Sequence, residues 1–319
     1  LFRSEVTMSI LAGAKKKDPQ KGYASDFITQ ISPLLEMIKQ DGIKVLSNAG
    51  GINPIACKAM MKDAVEKAGI DMEIAIVTGD DLTPELQNLK KLGITEMESD
   101  SSIPDSCLSI NAYLGAPAIA QALGQGADIV ITGRCVDSAL VLAPLMHEFD
   151  WKDSDYDLLA SGSLAGHIIE CGAQCTGGNF TDWKDIEGYH NMGFPIVEVE
   201  QNGDFIVSKP NATGGMVTFG TVAEQFLYEI GDPAEYMLPD VVCDFKNVTI
   251  KDLGKDRVLV SGASGSSPTD QYKVSATYMN GYRVAGTLVI GGKNAKEKGT
   301  RIANAIIKKV EQLLMDNNF

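Results

Sequence analysis

The stretch LAGHIIECGAQCTGGNFTDW, residues 164–183, gathers a histidine, a glutamate, two cysteines, a glutamine, an asparagine and an aspartate. On a helix, His167 and Glu170 are three apart and share a face, as an imidazole oriented by a carboxylate for acid–base work requires. Cys171 follows directly and is a nucleophile once its thiol ionises. Gly177-Gly178 breaks the helix and lets backbone approach a ligand closely, with Asn179 placed to hydrogen-bond a substrate carbonyl. His167, Cys171 and Cys175 also repeat at i, i+4 and i+8, but eight helical residues span about 12 Å. Zinc bonds are only about 2.0–2.3 Å long, so the row is a poor metal site and none is expected. A catalytic face and a packed face of small residues (Ala165, Gly166, Gly172, Ala173) remain as alternatives. Polar groups at this density are costly in a plain core.

A second set of candidates lies where strand-like runs give way to helical ones. Short apolar runs at 43–46, 72–77, 108–110 and 128–131 each end in a polar loop and lead into helical patterns. Those patterns cover 54–68, a segment beginning near Pro84, 116–124 and 137–148. Strand, loop and helix in that order, four times over, spell a parallel sheet with helices on its faces. Ligands of such sheets collect beyond the carboxyl ends of the strands. The loops brought together there are Asn48-Ala49-Gly50-Gly51 with Asn53, then Gly79-Asp80-Asp81, Asn111-Ala112-Tyr113, and Thr132-Gly133-Arg134 followed by Asp137.

The first and last of these loops suit an anion, through N–H groups at a helix start and the fork of Arg134. The competing reading is tight turns, with Arg134 merely paired to Asp137. Asp80 and Asp81 can act as metal ligand, base or N-terminal cap for the helix near Pro84. His147-Glu148 closes a helix, where a histidine serves as a cap. Neither a Walker A loop nor a GxGxxG fingerprint is present, so no nucleotide triphosphate or dinucleotide site is expected.

The elements that must position these residues follow from periodicity. Helices are expected at 5–14 and 25–40, the latter interrupted at Pro33. The acidic, aromatic run 149–157 leads into the 164–183 helix. Beyond it, 195–199 and 204–208 flank Asn202-Gly203, a strong hairpin signal. A helix at 217–230 precedes strands at 241–245, 248–251, 257–261, 271–278 and 282–290, and a helix at 295–314 follows. Residues 261–268 read as a loop, and Tyr278, Tyr282 and Arg283 are weaker candidates of the β-rich part. The expected class is α/β: a Rossmann-like, mostly parallel sheet flanked by helices over 1–150. A β-rich α+β part over 151–319 follows, with 164–183 at the interface.

The 319 residues carry a net charge of −14, which disfavours nucleic acid and anionic membranes as partners. No apolar run approaches the roughly 18 residues of a membrane span. Six scattered cysteines favour reduced thiols in the cytoplasm or a mitochondrial matrix. The chain starts at Leu1 in helical sequence, so an upstream piece, with any targeting signal, is expected.

Several strings resemble the acyclic terpene utilisation (AtuA-like) family: Asn48-Ala49-Gly50-Gly51-Ile52-Asn53-Pro54, Asn111-Ala112-Tyr113-Leu114-Gly115, and Thr132-Gly133-Arg134 with Asp137-Ser138-Ala139-Leu140. Glu170-Cys171-Gly172-Ala173-Gln174, Thr176 to Trp183, Lys209-Pro210, Thr213-Gly214-Gly215 and Leu227 to Pro233 continue it in order. Members begin with a further Gly-rich strand and loop upstream, and the residue at position 175 varies among them. The resemblance implies breakdown of acyclic terpenes or branched acids, through coenzyme A thioesters and alongside an acyl-CoA carboxylase. A hydratase or lyase step is expected, with His167, Glu170 and Cys171 catalytic. Binding is expected from Asn48, Gly50, Gly51, Asn53, Asp80, Asn111, Tyr113, Gly133, Arg134, Asp137, Gly177, Gly178 and Asn179. No cofactor is implied beyond coenzyme A as part of the substrate, and a homo-oligomer is compatible with the glycine-rich helices. The rival expectation is a noncatalytic subunit that holds an acyl-CoA or docks on the carboxylase.

Overall fold

A strand whose residues are all apolar can lie only where both faces of its sheet are covered. Ile129–Thr132 comes close to this, apolar but for Thr132 at its end, and is buried along its whole length. The computed structural model, which describes residues 5–316, places it at the centre of a three-stranded parallel sheet. In chain order the elements leading to it are α1 (Glu5–Lys17), α2 (Ser25–Ile31), α3 (Leu35–Gln40), β1 (Val45–Ser47), α4 (Pro54–Ala68) and β2 (Ile74–Val77). Then come α5 (Leu86–Lys91), β3 (Ser109–Ala112), α6 (Pro117–Gly124), β4 (Ile129–Thr132), α7 (Ala139–Phe149) and α8 (Tyr156–Glu170).

The sheet order is β1-β4-β2, with Val45 opposite Ile129 and Ile74 opposite Ile129 on the other side. Alternation along β4 divides the core. Ile129 and Ile131 enter a cluster with Phe27, Leu35, Ile38, Cys57 and Met61, whereas Val130 joins Ile119, Leu142, Leu164 and Ile168 on the opposite face. The chain is therefore mixed α/β, with the parallel sheet between two helical layers.

Local chemistry explains the helix limits. Ser32–Leu34, which contains Pro33, forms a 3-10 turn between α2 and α3, as the interruption expected there requires. Helix α4 starts at Asn53, whose Oδ1 accepts from Ala56 N, and stops at Gly69 in the left-handed conformation.

The third strand departs from the expected repeat. β3 does not join the parallel sheet but pairs antiparallel with β12 (Val274–Thr277). A parallel neighbour would have to come by a crossover, whereas β12 offers a complete ladder from far along the chain. The Ser109 and Thr277 hydroxyls, 2.7 Å apart, add a buried bond to that pairing.

Downstream lie β5 (Ile196–Val199), β6 (Phe205–Ser208), α9 (Phe219–Leu227), β7 (Tyr236–Met237), β8 (Val242–Asp244), β9 (Thr249–Asp252), β10 (Val258–Ser261) and β11 (Ser264–Ser266). The Asn202-Gly203 hairpin forms as expected and belongs to a four-stranded antiparallel sheet, β5-β6-β10-β9. Phe205, Val207, Val258 and Val260 turn from that sheet into the same core cluster as α7 and α8. Within the run read as a loop, β11 pairs with β8.

Helix α8 is buried almost all round, and small residues let it lie close to α7. A Cβ on Gly166 would stand 2.7 Å from Ser138 Cα, and one on Gly162 2.7 Å from Leu142 Cδ1.

The chain divides into two units, one ending at Met279 and one beginning at Asn280. In the second, 280–291 form no strand, correcting the expectation at 282–290; Tyr282, Val284 and Val289 are at least nine-tenths exposed. A strand needs a ladder partner, and none pairs with this segment among the described residues. α10 (Ala295–Asp316) follows, with Ile302, Ile306, Val310, Leu313 and Leu314 exposed along it. Among the described residues no helix is long and apolar enough to cross a membrane.

Candidate functional site

Two buried polar clusters contain most of the candidate residues. The first lies at the carboxyl ends of the parallel strands. Asp80 follows β2 and is buried; its Oδ2 accepts from Asn111 Nδ2 and from the Arg134 backbone N–H, both at 2.8 Å. Its backbone carbonyl accepts from Ala112 N at 2.8 Å, so β3 is fastened to the end of β2 although it is not a strand of that sheet. Burial pushes the Asp80 carboxyl up, against the lowering effect of those two hydrogen bonds. Gly133 leaves room for this carboxylate, since a Cβ there would stand 2.3 Å from Oδ1.

The Arg134 guanidinium lies 4.1 Å from the centroid of the Tyr113 ring, and Lys273 Nζ lies 5.0 Å from the same centroid. Lys273 arrives because its carbonyl accepts from Tyr113 N where β12 meets β3. Arg134 also faces Asp137 at 3.9 Å, and Asp137 accepts from Asn48 Nδ2 at 3.1 Å. The loops at 48, 80, 111–113 and 134–137 thus come together, as the strand-end reading expects. Two atoms in this group are buried without a hydrogen-bond partner, Arg134 Nε and Asn111 Oδ1.

Several candidates near these loops are engaged structurally. The Gly51 amide closes a turn onto Asn48 O, and Gly51 has φ +53 against Leu11. Gly50 passes so near Thr132 that a Cβ would stand 2.4 Å from its carbonyl oxygen. Asn53 caps α4 and donates to the carbonyls of Pro19 and Lys21. Asp81 accepts from Thr83 N at 2.9 Å in a local turn, while the cap positions of the helices that follow fall to Leu82 and Glu85. Of the groups considered for an anion, the Arg134 guanidinium is left, since these glycine amides close turns or lie at close backbone approaches.

The second cluster joins α8 to α9. His167 Nε2 lies 3.0 Å from Gln225 O, and Gln225 Nε2 donates to His167 O at 2.8 Å and to Cys171 Sγ at 3.4 Å. A carbonyl only accepts, so Nε2 carries a hydrogen and Nδ1 is the nitrogen turned to Glu170, 3.4 Å away. Both ring nitrogens of this fully buried histidine are committed. The Tyr236 ring is 6.3 Å from the imidazole, and burial, with Glu170 and Asp137 near, pushes the Tyr236 phenol up. Tyr236 therefore feels both clusters, which adjoin where Gly166 meets Ser138.

Gly177 and Gly178 donate to Gln174 O and Ala173 O, and Gly177 packs on Ile186 with φ +102. Asn179 is exposed on that turn, apart from both clusters. Cys175 lies in the core and its thiol is pushed up to about 12 by burial. Among the described residues no group of three or more His, Cys, Asp and Glu side chains is arranged to hold a metal ion.

Sequence reasoning missed Lys273, Gln225, Tyr236 and Asp240. Asp240 accepts from Ala116 N at 2.8 Å, and a Cβ on Gly115 would collide with its carboxylate. Burial pushes Asp240 up to about 6. For Asp240 the one signal is Gly115, whose lack of a side chain leaves room for that carboxylate.

The family model described as acyclic terpene utilisation family protein AtuA matches residues 2–318, and the chain belongs to that family. Comparison with curated proteins and with solved structures gave no match.

Proposed function

We propose, starting from membership of the acyclic terpene utilisation family, that this protein is an enzyme of the hydratase or lyase type acting on a carboxylate or acyl-CoA thioester of acyclic terpene or branched-acid breakdown. Family membership supports a part in acyclic terpene utilisation; the reaction type is our reading of the strand-end pocket. The observation that carries it is the Asp80–Asn111–Arg134 group, in which a buried carboxyl with a raised pKa stands beside a stacked guanidinium. Such a pair supplies a proton-transfer group and an anion binder together. Asp80 takes the acid–base role in this reading, and Arg134 with Lys273 attracts the substrate's negative group. His167, Glu170 and Cys171 brace the neighbouring wall through α8. The parallel layer serves as a Rossmann-like platform for the loops.

The test is incubation of the purified protein with a panel of acyl-CoA thioesters and hydroxycarboxylates, following gain or loss of one water by mass spectrometry. Turnover that disappears in Asp80→Asn supports the reading; turnover unchanged in Asp80→Asn and Arg134→Lys removes the pocket from the mechanism.

A second reading is favoured by α10, whose apolar residues are exposed at helical spacing. In it the chain is a noncatalytic acyl-CoA-binding or assembly subunit beside an acyl-CoA carboxylase in the cytoplasm or matrix, or a homo-oligomer built through this helix. Polar substitution of Ile306 and Val310 that abolishes pathway flux, while Asp80→Asn leaves flux intact, would select it.

A further inference from the structure

Hydrogen-bond accounting in the strand-end cluster leaves one donor and one acceptor over. Arg134 is 5% exposed and Asn111 1% exposed, and neither Arg134 Nε nor Asn111 Oδ1 has a partner. A buried polar atom left in that state costs about 1–3 kcal/mol, so in a native fold it calls for an explanation. Both residues are tethered to the same oxygen, Asp80 Oδ2, one through its side-chain amide and one through its backbone N–H. Because Asn111 Nδ2 is committed to Asp80, the amide orientation is fixed and Oδ1 is the end left to a ligand. The stack on Tyr113 fixes the plane of the guanidinium in the same way.

The mismatch defines the chemistry of what fits. A carboxylate alone satisfies Arg134 but offers no hydrogen to Asn111 Oδ1, which needs a donor. An alcohol alone satisfies Asn111 and leaves the guanidinium without an anion. We propose that the pocket takes a hydroxycarboxylate, its carboxylate accepting from Arg134 and a hydroxyl one or two carbons away donating to Asn111 Oδ1. This deepens, and rests on, the reading of the pocket as the substrate site.

Asp80 fits the same ligand. Its Oδ2 already accepts twice, and its Oδ1 packs against Gly133, where a Cβ would stand 2.3 Å away. Burial pushes this carboxyl up, which lessens its repulsion of an arriving carboxylate. Asp137, the nearest anionic partner of Arg134, stands back at 3.9 Å and is occupied by Asn48.

Calorimetric titration of the full chain with three probes of one skeleton tests this: β-hydroxyisovalerate, isovalerate, and the diol in which the carboxylate is reduced to an alcohol. α-Hydroxyisovalerate distinguishes the two hydroxyl positions. The wild-type protein should bind one of the hydroxy acids about tenfold or more tightly than isovalerate, because the hydroxyl alone answers Asn111. Asn111→Ala should reduce that ratio to about one, and Arg134→Lys should weaken both acids by about tenfold while preserving it. The diol should bind weakly to every variant. Equal binding of hydroxy acid and isovalerate by the wild type overturns the proposal but leaves the site reading standing, provided Arg134→Lys weakens both. A preference that survives Asn111→Ala also overturns it. Acid binding indifferent to Arg134→Lys, or no acid binding at all, overturns the proposal and the site reading together. The wild-type ratio is decisive even where Asn111→Ala fails to fold.

Discussion

The two buried polar clusters use similar residue types to opposite ends. Between α8 and α9, His167 and Gln225 each donate to the other's backbone carbonyl, so two helices distant in sequence are clasped by a reciprocal pair. At the strand ends, Asp80 gathers Asn111 and Arg134 on one oxygen, and those partners keep a donor and an acceptor in reserve. Gln225 Oε1 is the corresponding leftover in the clasp, but it is an acceptor alone, without the unpaired donor that Arg134 adds at the strand ends. The difference teaches that a histidine–glutamate pair on a helix is not by itself a reaction centre. What matters is which hydrogen-bonding atoms remain after the fold has taken its share.

The largest effect should come from breaking the clasp. His167→Ala leaves the Gln225 carbonyl and the Glu170 carboxyl without their buried partner and should cost about 4 kcal/mol of stability, read from denaturant midpoints. Ligand affinity per folded molecule should stay within about twofold. A variant of normal stability but lost turnover would move the chemistry to His167 and reverse the comparison.

Gly133→Ala pushes a methyl against the Asp80 carboxylate and should cost about 3 kcal/mol. Unlike His167→Ala it should also weaken acid binding, because Asp80 organises both Asn111 and Arg134. Loss of stability without loss of affinity would show that the pocket does not depend on Asp80.

Asp240 provides a pH test outside both clusters. Its carboxyl is raised to about 6 in the fold, against about 3.9 in an unfolded chain. The folded state therefore holds this proton more tightly. Stability from this group is greatest below the unfolded value, declines between about pH 4 and 6, and the penalty is complete above it. Asp240→Asn keeps an oxygen for Ala116 N–H and removes the ionisation. It should gain about 2 kcal/mol above pH 6 after allowance for partial exposure, and flatten the decline in thermal melts. No gain at pH 7 would mean the ionised carboxylate is better solvated than its burial implies.

The smallest effect is on the thiols. Burial pushes Cys57, Cys135 and Cys175 up to about 12, so alkylation of the native protein near pH 8 should spare them and mark Cys107 and Cys171 first, read by peptide mass spectrometry. Early labelling of Cys175 would show that α8 and the turn after it open readily.

Features set by a few neighbouring residues were legible in the sequence. Asn53 and Pro54 start α4 and Gly69 ends it; Pro33 interrupts a helix; Asn202-Gly203 turns a hairpin. The apolar runs of β1, β2 and β4 mark a sheet covered on both faces, and loops at the ends of such strands must meet. The tertiary structure alone decided who pairs with whom. β3 looks like a fourth parallel strand, yet its ladder partner lies at 274–277, and that choice delivers Lys273 to Tyr113. The strand-like run at 282–290 has no ladder to join among the described residues. Gln225 and Asp240 show no local sign of their roles, because what they complete lies on α8 and at the start of α6. Caps, turns and periodicity act over a few residues and are written in order along the chain. Ladder pairing and the satisfaction of buried polar atoms depend on groups from 31 to 168 residues apart, which only packing brings together.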